Sequence, residues 1–142
     1  MGFDLLYLLA FLLGLPFWIW KLATEARWRH RLADRFARYE GLGEPPAAGR
    51  LWIVAASVGE VRAIGPLIAA LRRERPGIEC VLSTQTATGW AEARRLHANI
   101  PAFKIPLDLS WIAVAALENL RPTAVILVEG ELWPNLVREA AR

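Results

Sequence analysis

The 142-residue sequence predicts an α/β domain built on a parallel sheet and preceded by an apolar helix. Three observations predict this class: short apolar runs alternate four times with amphipathic segments after position 50, an uncharged run lies near the amino terminus, and a stretch rich in glycine and proline separates the two. The composition is 55% hydrophobic, which excludes a disordered chain, and the single cysteine excludes a disulfide framework.

The amino-terminal run covers residues 5–20 and contains no charged side chain. As a helix it extends roughly 24 Å, a little less than the ~30 Å hydrocarbon core of a bilayer. Gly14 and Pro16 interrupt it, so we expect a bent or oblique helix. A cleaved signal peptide and a core helix are the alternatives. Because Asp4 precedes the run and basic residues follow it, we favour a membrane anchor.

The segment after this run is basic, with six cations against two carboxylates in residues 21–38. Basic residues beside an apolar span remain cytoplasmic and lie close to anionic headgroups, which predicts the cytoplasmic face of a membrane. A solvated helix face and a nucleic-acid site are the other interpretations, and adjacency to the apolar run favours the membrane surface. The residues predicted to lie there are Arg27, Arg29, Arg31 and Arg35.

The predicted organisation has three parts: an anchor with a basic juxtamembrane helix in residues 1–39, a linker in 40–50 and an α/β domain in 51–142. The predicted strands are residues 51–56, 80–83, 102–105 and 123–128. The predicted helices are residues 60–73, 89–97 and 111–120, with a last one starting near Pro134. Strands alternating with helices indicate a parallel, Rossmann-like sheet covered on both faces. Four strands ending at Arg142 predict an incomplete sheet.

Polar residues follow each predicted strand, and the carboxyl ends of parallel strands meet at one edge, where ligands bind. After the first strand, Ser57 and Glu60 have the spacing of a capping box. Gly59 lies between them and permits close approach by a ligand. Glu60 is expected to face the crevice as an ionised carboxylate, which makes it a candidate general base. The spacing alone leaves the capping and catalytic interpretations open.

The other strand exits are equally open to two interpretations. Thr86 or Thr88 suits a helix N-cap, and the hydroxyls of residues 84–89 also suit sugar hydroxyls or a phosphate. Asp108 is most simply the N-cap of the third predicted helix. Glu129 and Glu131 follow the fourth strand. In one interpretation, one of them lies at the amino terminus of the last helix, and in the other, at least one of them belongs to a ligand site. Two distant histidines give no metal-ligand spacing, so no metal is expected.

Taken together, these segments resemble the Kdo (3-deoxy-D-manno-octulosonic acid) transferases of lipopolysaccharide synthesis. The order, the spacing and the upstream apolar run all match, and the likeness covers essentially the whole chain but only the first half of a full-length enzyme. The matching segments are Trp52-Ile53-x-x-x-Ser57-Val58-Gly59-Glu60, Thr84-x-Thr86-x-Thr88-Gly89, Pro106-x-Asp108-Leu109 and Glu129-x-Glu131-Leu132-Trp133-Pro134-Asn135.

The resemblance implies an inverting GT-B glycosyltransferase that moves Kdo from CMP-Kdo to the lipid A precursor without a metal or other cofactor, at the bacterial inner membrane. Glu60 matches the family's proposed general base, and Glu131 matches its second acidic residue. The residues implied to shape the acceptor cleft are Ser57, Gly59, Thr86, Thr88 and Gly89. Val54, Ala87, Leu107 and Gly130 depart from residues common in the family, which affects the details of acceptor contacts.

The family holds its nucleotide-sugar mainly with a carboxyl-terminal domain, and residues 1–142 contain no such sequence. We therefore expect this chain alone to bind membranes and the acceptor without efficient transfer. A non-catalytic homologue that binds lipid A or a partner is the alternative. An unrelated nucleotide-binding protein is disfavoured because no phosphate-loop pattern occurs, and no nucleic acid is expected as a partner.

Overall fold

A computed structural model describes residues 2–25, 29–129 and 133–142. Two helices, α1 (Gly2–Leu13) and α2 (Leu15–Thr24), precede the sheet and meet at an angle of 66°. The break falls at Gly14, and Pro16 lies in the first turn of α2, where its missing N–H costs no hydrogen bond. The bend expected from these two residues is confirmed.

Of the helices in the described ranges, none is long and apolar enough to cross a membrane alone, and only the bent pair Phe3–Leu13 and Leu15–Thr24 has the required length and composition. Much of the apolar surface of α1 is uncovered, and its leucines include side chains more than half exposed. These exposed side chains are Leu5, Leu6, Leu9, Leu12 and Leu13. The membrane anchor thus stays a prediction.

The sheet has four parallel strands in the order β3-β2-β1-β4. The strands are β1 (Arg50–Val54), β2 (Glu79–Thr84), β3 (Ala102–Lys104) and β4 (Ala124–Leu127). All four were predicted, with ends that differ by a residue or two. Every residue of the central strand β1 is buried, as expected for a parallel strand covered on both faces.

The helices that cover the sheet are α3 (Val58–Ala63), α4 (Gly65–Glu74), α5 (Ala87–Leu96), α6 (Ser110–Leu120) and α7 (Pro134–Ala140). The helix predicted over residues 60–73 is wrong as one element, because it is divided into α3 and α4 at Ile64. Pro66 lies in the first turn of α4 and cannot donate a backbone hydrogen bond to the preceding turn.

Two apolar clusters sandwich the sheet. Alternation along β1 sends Trp52 and Val54 to the cluster that includes α6 and α7, and Ile53 to the cluster that includes α3, α4 and α5. The predicted α/β parallel sheet with helices on both faces, a Rossmann-like arrangement, is therefore confirmed.

The domain contains more of the chain than residues 51–142. Residues Leu32–Phe36 form a short 3-10 helix, and Ala37 behind it is fully buried in the core. The Tyr39 ring lies 4.9 Å from that of Phe103, and Arg50, placed in the linker by the sequence analysis, is a buried residue of β1. The segment before β1 thus contributes apolar surface to the core, and the domain boundaries at 39 and 50 stay predictions.

Candidate functional site

The end of β1 carries the capping box that the sequence predicted. The Ser57 hydroxyl accepts from the Glu60 amide at 3.2 Å, and Glu60 accepts from the Ser57 amide at 3.2 Å through one oxygen and from the Ala56 amide at 2.8 Å through the other. Glu60 is only 7% exposed. The expectation that its carboxylate faces an open crevice is wrong, because both oxygens lie against the backbone of its own turn.

Gly59 occupies the first turn of α3 and is exposed. A Cβ built there would meet a single neighbouring atom, the Ser57 hydroxyl, at 3.7 Å. Packing therefore does not require glycine at this position, although glycine in a helix costs up to about 1 kcal/mol relative to alanine. Its backbone is open to close approach from outside.

The loop after β2 lies beside this turn. The Gln85 amide donates to the Ala56 carbonyl at 3.0 Å, and Thr86 caps α5 by accepting from the Gly89 amide at 2.9 Å. A Cβ at Gly89 would lie 3.4 Å from the Ala56 carbonyl oxygen and 3.0 Å from the Thr86 hydroxyl. The structure thus brings the two predicted acceptor segments together at the carboxyl edge of the sheet, as their positions after parallel strands predicted.

Hydroxyl groups face outward along this edge. Ser57, Thr86 and Thr88 are all exposed, and the hydroxyls of the two threonines lie 3.2 Å apart. Such hydroxyls donate and accept hydrogen bonds. The edge therefore has the chemistry needed to bind a ligand rich in hydroxyl groups.

The second predicted acid, Glu131, lies outside the described residues, as does Arg27 of the predicted membrane surface. Glu129 is described, is exposed, and has a left-handed backbone with φ 65°. Side chains with a Cβ rarely adopt this conformation, and they concentrate at functional sites.

A polar cluster that the sequence did not predict lies beyond the ends of β3 and β4. Asp108 accepts from the amides of Asn135 at 3.1 Å and Leu136 at 2.8 Å, so it caps α7. The prediction that it caps α6 is wrong. Asp4 of α1 does this for α6, because it accepts from the Ser110 amide at 2.8 Å and the Ser110 hydroxyl at 2.5 Å. The signal available in the sequence was an acid placed at the start of an apolar run.

This cluster joins the amino-terminal helices to the domain. The buried Asn135 side chain donates to Asp4 at 3.1 Å, and the Tyr7 hydroxyl donates to Asp108 at 3.3 Å. An apolar groove of about 400 Å³ lies between these helices and the domain. Its walls include Phe11, Trp18, Phe36, Leu107 and Trp133.

Two of the four arginines predicted at the membrane surface have partners within the domain. Arg31 pairs with the buried Asp34 at 2.6 Å, and Arg35 donates to the carbonyls of Gln85 at 2.8 Å and Ile105 at 2.9 Å. Arg29 is exposed. The lipid contact predicted for these residues is untested. Within the described ranges, no cluster of three or more histidine, cysteine or acidic side chains suits a metal ion.

Comparison with known proteins gives one consistent result. The family model described as 3-Deoxy-D-manno-octulosonic-acid transferase (kdotransferase) matches residues 30–142. The 3-deoxy-D-manno-octulosonic acid transferase of Chlamydia pneumoniae is 32% identical over 99% of this chain and 32% of its own length. The transferases of that name from Haemophilus influenzae and Bordetella pertussis are 35% and 33% identical, over 80% and 87% of this chain and 26% and 30% of their lengths.

The chain spans about a third of the length of these curated relatives. No solved structure matches it. The family match begins at residue 30, which agrees with the packing of the 3-10 helix onto the domain.

Proposed function

The chain belongs to the 3-deoxy-D-manno-octulosonic-acid (Kdo) transferase family, and from this membership we propose that it is the acceptor-binding part of a glycosyltransferase that adds Kdo to the lipid A precursor. The observation that carries the proposal is the meeting of two strand exits at one edge of the sheet, where an uncrowded glycine and outward hydroxyls lie together. In the proposed enzyme the donor is CMP-Kdo, held mainly by a second, carboxyl-terminal GT-B domain.

In the proposed reaction, Glu60 removes the proton from an acceptor hydroxyl as that oxygen attacks the anomeric carbon of CMP-Kdo with inversion. The bond from that carbon to the phosphate oxygen breaks, and CMP leaves. The carboxylate retains unused lone pairs after accepting from two amides, since each oxygen has two. A small change of its rotamer, or approach of the hydroxyl over the exposed Gly59, would complete the contact. Glu131 is proposed as the second acid of the site.

The acceptor is a lipid, so the proposal requires contact with a membrane. Supporting it are the exposed leucines of α1, the bent helix pair and the apolar groove near the polar cluster. We place the domain on the cytoplasmic face of the inner membrane, because the basic residues follow the apolar run.

The test is binding of the lipid A precursor to the chain in nanodiscs. Gly59→Leu fills the approach to the edge. Gly65→Leu is its matched control, since Gly65 also lies in the first turn of a helix and a Cβ built there meets nothing within 4 Å. We expect Gly59→Leu to weaken binding by at least about tenfold, a loss of ~1.4 kcal/mol. Equal affinities for the two variants would show that the acceptor lies elsewhere.

One observation favours a second candidate, a family member that binds the acceptor without catalysis. Glu60 is 7% exposed and both its oxygens accept from backbone amides, so a structural role as a capping residue accounts for all these contacts. Joining the chain to the donor domain of a relative, and testing rescue of a strain that lacks Kdo transferase, separates the two. Rescue that Glu60→Ala abolishes supports the enzyme.

A further inference from the structure

Four charged residues meet at the outer strand β3, beside the loop that follows β2. We call Arg31, Asp34, Arg35 and Lys104 the β3-edge cluster. Asp34 is 3% exposed; it pairs with Arg31 and accepts from the backbone amide of Lys104 at 2.9 Å. The cluster therefore has three cationic side chains and one carboxylate, and that carboxylate is already engaged.

Arg35 is held by neutral groups only. Its guanidinium donates to the Gln85 side chain at 2.5 Å, the Gln85 carbonyl at 2.8 Å and the Ile105 carbonyl at 2.9 Å. A guanidinium has five N–H donors, so these bonds leave donors unused. They also leave its charge without a carboxylate partner among the described residues.

Lys104 is the second cation of the cluster that forms no ion pair among the described residues. It is 3% exposed, and within the described part of the chain its ammonium has no hydrogen-bond acceptor and no carboxylate within ion-pair distance. The ammonium nitrogen keeps some contact with solvent, and the nearby Asp34 carboxylate favours its charge, but neither replaces an ion pair. Burial, followed by the positive charge of Arg35, lowers the pKa of Lys104 to about 8.

The position of the cluster links it to the loop that follows β2. Arg35 binds Gln85, which directly precedes the exposed Thr86. Lys104 shares a face of the sheet with Ala102, two residues earlier on β3, and Ala102 packs with the α5 residue Trp90. Arg31 is 30% exposed, which gives the cluster access to solvent.

We propose that the β3-edge cluster is a binding site for a phosphate monoester, with Lys104 and Arg35 as its main donors. A phosphate monoester carries about −1.5 to −2 charges near neutral pH and balances the two uncompensated cations. A carboxylate would balance only one. Arginine suits the oxygen geometry of phosphate, and lysine adds a point charge. The site does not depend on Kdo transfer, since it requires neither a donor nor Glu60.

The first test is calorimetric titration of the whole chain in detergent micelles with inorganic phosphate and with glycerol 3-phosphate. Lys104→Met keeps the length of the side chain and removes its charge. Arg94→Gln removes an exposed charge from α5 and is the matched control. We expect Lys104→Met to bind phosphate at least about tenfold more weakly, the loss of one charge-assisted hydrogen bond, and Arg94→Gln to bind like the wild type.

Melting temperatures separate a loss of phosphate binding from a loss of folding in Lys104→Met. A ligand that binds only the folded state raises the melting temperature, so phosphate should raise that of the wild type and not that of Lys104→Met. Without phosphate, Lys104→Met should melt no lower than the wild type, because the substitution removes a largely buried cation that forms no ion pair. A lower melting temperature would reveal a structural partner for Lys104 and overturn the proposal.

A second arm identifies the source of the phosphate. The chain is titrated with phosphate in phosphatidylcholine vesicles, with and without phosphatidic acid, whose headgroup is a phosphate monoester. Competition by phosphatidic acid assigns the site to a lipid headgroup, and undiminished binding assigns it to a soluble phosphate. The absence of phosphate binding in both arms, or equal binding by Lys104→Met, refutes the proposal.

Discussion

Replacing Glu60 by glutamine or alanine separates the structural role of this side chain from its proposed chemical role. Alanine removes both acceptors and leaves the buried Ala56 amide without its 2.8 Å bond. We expect a loss of about 2–4 kcal/mol in the free energy of unfolding. Glutamine also forms capping boxes but accepts through one oxygen only, so its loss should be about 1–2 kcal/mol.

The two substitutions should affect transfer equally, whereas they affect stability unequally. A general base contributes roughly 10²–10⁴-fold to rate, and neither side chain can take the proton. The assay measures Kdo transfer by the chain joined to the donor domain of a relative, beside denaturant unfolding of the chain itself. Glu92→Gln is the control, because it removes a carboxylate that pairs with Arg62 and Arg95 on exposed helix surfaces. If Glu60→Gln retains transfer within about tenfold of the wild type, Glu60 is a capping residue and the base is another group.

Three further predictions concern the folded chain. Asp4→Ala removes the acceptor of the Ser110 amide and hydroxyl and should lower the free energy of unfolding, measured with denaturant, by about 2–3 kcal/mol. Asp4→Asn should lower it less, because asparagine also caps helices. Equal stability of Asp4→Ala and the wild type would contradict the contact between α1 and the domain. Gly89→Ala places a Cβ 3.0 Å from the Thr86 hydroxyl and should lower the free energy of unfolding by about 1–3 kcal/mol. Gly65→Ala places a Cβ in open space and should be neutral or stabilising. Similar losses for both variants would refute the packing argument. The pKa of Lys104 is lowered from 10.5 to about 8, so the unfolded chain binds more protons than the folded chain between these pH values. The free energy of unfolding of the wild type relative to Lys104→Met should therefore rise with pH across that window, by up to about 1.4 kcal/mol per pH unit. A difference that stays constant from pH 8 to 10.5 would contradict the lowered pKa.

The sequence predicted the strands well because they are short apolar runs between turn residues, a local signal. It also predicted that the exits of β1 and β2 would meet, since parallel strands end at one edge. What it missed depends on contacts between distant residues. Nothing local indicates that Asp108 caps α7, because its partners Asn135 and Leu136 follow it by more than twenty residues. The same holds for Asp4 and Ser110.

Long-range contacts also involve the basic segment. Six cations after an apolar run predict contact with anionic headgroups when the run is considered alone. Asp34 and Ala37 are buried against the domain, and their neighbours Arg31 and Arg35 have partners there, while the contact with headgroups stays a prediction. A charged side chain near a membrane signal can thus be part of the core of the domain.

Helix amino termini account for most of this edge of the sheet. Thr86, Asp108 and Asp4 each accept from a backbone amide in the first turn of a helix. Glu60 accepts from the two amides that precede α3. Three of these four residues follow strands that end at the same edge. The same first turns expose amides and hydroxyls to a ligand, so the groups that hold the helices in place are also the groups closest to the proposed acceptor. A substitution at the edge will therefore usually change stability and binding together. Only paired variants that differ in one of the two effects, such as Glu60→Gln with Glu60→Ala, can assign a role to a residue there.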